Sequence, residues 1–105
     1  MGNQSGKCSD WKAWHDREPG GPATLHVTGR CEFPTSGHKV ALKPSTPQGI
    51  NPKIYILEKI VTPPTGAAND VVTHVEVHYT EQTNAHYDEV FIRTDNVTVP
   101  VKEVS

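Results

Sequence analysis

The stretch Asp70-Val71-Val72-Thr73-His74-Val75-Glu76-Val77-His78-Tyr79-Thr80 decides how the rest of the chain is read. Val71, Thr73, Val75, Val77 and Tyr79 fall on one side of a period-two ribbon. Val72, His74, Glu76, His78 and Thr80 fall on the other. An extended backbone turns successive side chains to opposite faces, so the pattern predicts a strand with one inward and one polar face.

The same alternation recurs to either side. Over residues 23–33, Leu25, Val27, Gly29, Cys31 and Phe33 share one face, and Thr24, His26, Thr28, Arg30 and Glu32 the other. Val40 and Leu42 mark a short strand over 39–43. Residues 53–62 are apolar on both faces, as a central strand requires. Residues 87–94 and 97–104 complete the set, joined by the turn signal Asp95-Asn96. Pro100 lacks an amide hydrogen, which predicts an edge or a local irregularity in that last strand.

Composition agrees with this reading. Val, Ile and Thr number 28 against three Leu, and β-branched side chains pack well on a pleated surface. Nine prolines and eight glycines supply turns. Six or seven strands with turns every 8–12 residues or so predict an all-β, antiparallel β-sandwich. An immunoglobulin-like topology is the generic expectation for that count. The Cys…Trp…Cys spacing of true immunoglobulin domains is absent, because both tryptophans lie near the N-terminus. Residues 1–8 read as a flexible tail and 9–105 as a single sandwich domain. Within the latter, residues 9–15 predict a short helical turn, with Ser9 as N-cap and Trp11 and Trp14 on one face.

The chain of 105 residues carries a formal net charge of −2 with three arginines and no dense basic run, which argues against a nucleic-acid role. No apolar run approaches the ~20 residues needed to span a bilayer, and the N-terminus lacks a signal-peptide core. The expected protein is soluble, in a compartment the sequence does not fix. Cys8 and Cys31 read either as a disulfide pinning the N-terminal arm or as two free thiols. Nucleophile elbows, phosphate loops and dinucleotide fingerprints are missing, so catalysis has no sequence support.

Three constellations carry chemistry. His74, Glu76 and His78 share one strand face, and His26 on a second polar face could join them around Zn²⁺. Strand rise sets a limit: His74 and His78 lie about 13–14 Å apart, too far to share one ion. The plainer alternative is a solvated sheet face. Trp11, Trp14 and His15 could stack on a sugar or a partner's side chain, or simply cover one end of the fold. The proline-rich loop 44–52 could present Gln48, Ile50 and Asn51 to a ligand, or serve as a rigid crossover. The leading expectation is a non-enzymatic module that binds a protein partner or self-associates. Metal binding on the His/Glu face, and a small carbohydrate binder or enzyme accessory domain using the Trp11–Trp14 pair, are the rivals.

Overall fold

The structure is a computed structural model, and it describes residues 7–17, 19–66 and 69–104. Seven strands run in the order β1 (Lys7–Asp16), β2 (Thr24–Phe33), β3 (Lys39–Pro44), β4 (Ile54–Thr62), β5 (Thr73–Gln82), β6 (Glu89–Ile92) and β7 (Val97–Val104). They form one mixed sheet with spatial order β3-β4-β6-β7-β1-β2-β5. The sheet curls until its two end strands, β3 and β5, lie against each other without pairing. The result is a nearly closed barrel.

Four expectations are corrected here. The architecture is all-β, but it is not a purely antiparallel sandwich. β1 runs parallel to β7, and β4 parallel to β6. That connectivity also departs from an immunoglobulin-like arrangement of antiparallel sheets. Third, residues 9–15 belong to β1 rather than to a helical turn. β1 begins at Lys7, so the last two residues assigned to a tail are part of the sheet, and residues 1–6 lie outside the described residues.

A bulge explains why β1 escapes a period-two reading. Ser9 pairs with Arg30 and Lys12 with Thr28, so Asp10 and Trp11 together oppose Gly29. Asp10 takes φ 58°, a left-handed conformation that Asp tolerates better than most residues. The extra residue shifts the phase of the strand. Cys8, Trp11, Ala13 and His15 all turn toward the interior, although Cys8 and Trp11 are three apart. Gly29 makes this geometry attainable. A Cβ there would sit 2.4 Å from the Trp11 ring, so the indole occupies the space that a side chain would fill.

The interior is lined by Leu25, Val27, Cys31 and Phe33 from β2, Leu57 from β4, Val77 from β5, Val90 and Ile92 from β6 and Val99 from β7. Burying each of the larger aliphatic or aromatic side chains contributes roughly 1.5–3 kcal/mol. Cys8 and Cys31 face each other across the β1–β2 pair and form a disulfide. Closing a loop of that length stabilises the fold by about 3 kcal/mol in the chain-entropy account. Among the described residues no helix is long and apolar enough to cross a membrane.

The close approach at the bulge gives a direct test. Gly29→Ala should lower stability by about 1–3 kcal/mol, because the new methyl would overlap the Trp11 ring and force the indole to shift. The urea midpoint measures the loss. An unchanged midpoint would mean that Trp11 does not pack on Gly29.

Candidate functional site

β1 and β7 pair only from Ala13 and Val101 onward. Below that pair the two strands part. The bulge in β1 breaks the ladder on one side, and Pro100 offers no amide hydrogen on the other. A groove of about 450 Å³ runs from there along the paired stretch, lined by Trp11, Lys12, Ala13, Trp14, Val99, Pro100, Lys102 and Val104. Trp11 reaches it from the inner side of the wall and Trp14 from the outer side. Val104, 44% exposed, adds apolar surface. Both lysines are exposed, and neither is paired with a carboxylate among the described residues. The Nε1 hydrogen of Trp11 is buried without an acceptor among those residues, an arrangement that costs about 1–3 kcal/mol.

The outer face of β1, β2 and β5 holds the histidines singled out as metal ligands. Trp14 stacks on His26 at 5.0 Å between ring centroids, and His26 stacks on His78 at 5.7 Å. The facing nitrogens of the two imidazoles lie 3.5 Å apart. His74 instead contacts Glu32 at 3.2 Å, and Glu76 lies 3.9 Å from Arg30. The four candidates therefore divide among three separate contacts. Among the described residues, no three His, Cys, Asp or Glu side chains converge. Two imidazoles fall short of the three protein ligands that zinc sites usually supply, so these residues do not fit a zinc centre.

His15 is fully buried and committed on both nitrogens. Nε2 donates to the Thr83 carbonyl at 2.8 Å, and Nδ1 accepts from the Arg17 guanidinium at 2.9 Å. Arg17 also bonds Glu103 of β7 at 2.6 Å and His86 at 3.1 Å. His15 thus fastens one end of the barrel and presents nothing to a ligand. Gln48 has a similar role in its loop. Its amide donates to the carbonyls of Ser45 and Ile56 and accepts from the Ile56 amide, each at 2.8 Å, standing in for a strand neighbour. Asn51 accepts from the Lys53 amide at 2.9 Å. Ile50 alone stands fully in solvent at the loop tip.

Sequence reasoning missed a cluster at the same end as His15. The Tyr55 and Tyr79 hydroxyls both donate to one oxygen of Glu81, and Tyr87 stacks on Tyr55 at 4.6 Å. Burial, reinforced by the Glu81 hydrogen bond, pushes Tyr55 far above the ordinary tyrosine range and Tyr79 up to about 12. Burial and the charge of Glu81 raise Tyr87 as well. The signal was available in the sequence: Glu81 continues the inward phase of Val75, Val77 and Tyr79.

These three are the protein's whole tyrosine content, which makes the cluster measurable. The neutral phenol is the form favoured by the fold. Its stabilisation is complete below the unfolded value near pH 10 and is lost as pH rises toward 12. Tyrosinate absorbance at 295 nm should stay well below half of its full value at about pH 10, where unfolded tyrosine is half ionised. Half-ionisation at that pH in the native protein would exclude the cluster. Tyr55→Phe should lower stability by about 1.5–3 kcal/mol at neutral pH, the range for a hydrogen bond to a charged group.

No family model, no curated protein and no solved structure matches this chain.

Proposed function

We propose that this protein is a non-enzymatic binding module whose groove between β1 and β7 takes an apolar side chain from an acidic segment of a partner protein. One observation carries the reading: both tryptophans border a single opening flanked by two lysines that meet no carboxylate among the described residues. Large aromatics beside cationic stems anchor protein contacts, because they bury area at little entropic cost and can keep a polar rim wet. A volume of about 450 Å³ suits one or two side chains. Lys12 and Lys102 supply charge that carboxylates would meet, in a chain whose net charge is otherwise slightly negative.

The polar groups elsewhere support a binding role over a catalytic one. His15, Gln48 and the Tyr55–Tyr79–Glu81 cluster spend their hydrogen bonds on holding the barrel together. A neutral sugar would use the tryptophans but leave the two lysines without a counterpart.

A capped Glu-Phe-Glu peptide should quench tryptophan fluorescence and displace the aromatic anion anilinonaphthalene sulfonate, and a capped Lys-Phe-Lys peptide should do neither. Trp14→Ala should weaken the acidic peptide by about tenfold or more, the scale of a hot-spot aromatic. Lys102→Glu should reduce its association rate in a salt-dependent way. Equal binding of the two peptides, or quenching by a neutral glycan panel alone, would refute the proposal.

A further inference from the structure

We infer that the Cys8–Cys31 disulfide is a thiol-exchange site, with Cys8 as the reacting atom and Lys59 as the group that holds its thiolate. This inference does not rest on the binding groove; its site lies at the N-terminal end of β1.

The geometry is asymmetric in the way such chemistry needs. Cys31 is fully buried in the core, whereas Cys8 is half-buried and lines an open cleft of about 910 Å³. Lys59 Nζ lies 3.2 Å from Cys8 Sγ. The Lys59 side chain is only 8% exposed, and its ammonium is held at 2.8 Å by Asp95. Asp95 offsets part of the lysine's charge but fixes the ammonium beside the sulfur, where it can pair with a thiolate at short range. A thiol beside a lysine ammonium ionises more readily than a free one, and the thiolate is the reacting form. The backbone also permits exchange. Residues 7–9 pair with β2 alone, since the β1–β7 ladder starts only at Ala13. This end of β1 is therefore held by a strand neighbour on one flank only.

The step balances with a small thiol as reductant. A thiolate RS⁻ enters the cleft and attacks Cys8 Sγ. The Cys8–S–S–R bond forms, the Cys8–Cys31 bond breaks, and Cys31 leaves as a thiolate and takes up a proton. A second RS⁻ attacks the R sulfur, releasing RSSR and a Cys8 thiolate paired with Lys59. Two thiols are oxidised, one protein disulfide is reduced, and one proton passes to solvent. Run in reverse, the Cys8 thiolate attacks a partner's disulfide and Cys31 resolves the adduct.

Reduced protein, freed of reductant, should be alkylated by iodoacetamide at pH 6.5, with peptide mapping to separate the two sites. Cys8 should react at least about fivefold faster than glutathione, an advantage that vanishes by about pH 9.5 where both are ionised. Cys31 should lag behind it. Lys59→Met should bring Cys8 down to the glutathione rate, and Lys59→Arg should preserve the advantage. Oxidised protein incubated with glutathione should trap the mixed disulfide on Cys8. If Lys59→Met fails to fold, the wild-type rate decides alone. Cys8 reacting no faster than glutathione in the wild type, including through unfolding of the reduced chain, or Cys31 reacting first, would overturn the inference.

Discussion

The single extra residue in β1 is the constraint on which the rest depends. Asp10 and Trp11 sit where one residue would do, opposite a glycine that yields its side-chain space to an indole. Without that insertion Cys8 and Trp11 would face opposite ways, since they are three positions apart. With it, the disulfide, the indole and His15 all reach the interior from one strand. The same irregularity falls where the β1–β7 pairing stops short of Ala13, at one end of the groove. Core packing and covalent crosslink are two results of one local deformation, and the candidate site borders it.

How much of this was legible in the sequence follows from what alternation can and cannot encode. β2 and β5 were readable because Leu25, Val27, Cys31 and Phe33, and then Val75, Val77 and Tyr79, keep strict period two. β1 was not, because the bulge breaks the period and the Trp11–Trp14 spacing imitates a helical face. Strand direction was also invisible. Side chains alternate in the same way whether a neighbour runs parallel or antiparallel, so β1–β7 and β4–β6 gave no advance signal.

The site residues divide along the same line. Type and face were correct for His26, His74, Glu76 and His78, yet convergence depends on register, which places His74 opposite Glu32 and Arg30 opposite Glu76. Glu81 and Lys59 could have been noticed as charged residues in an inward phase, which is uncommon unless a partner waits inside. Each has one: two phenols for Glu81, and Asp95 for Lys59. The polar residues that interrupt the apolar rhythm were the more informative ones, and the evenly spaced histidines were the less.

The parallel pairing of β1 with β7 has a kinetic meaning. Ala13 meets Val101, 88 positions later (101 − 13), so this part of the wall cannot form until nearly all of the intervening chain has been laid down. Contacts of such long reach come late and slow folding into the millisecond-to-second range. During synthesis the first strand must therefore wait with one flank unpaired and its tryptophans uncovered. A nascent chain in that condition exposes the surface that chaperones recognise.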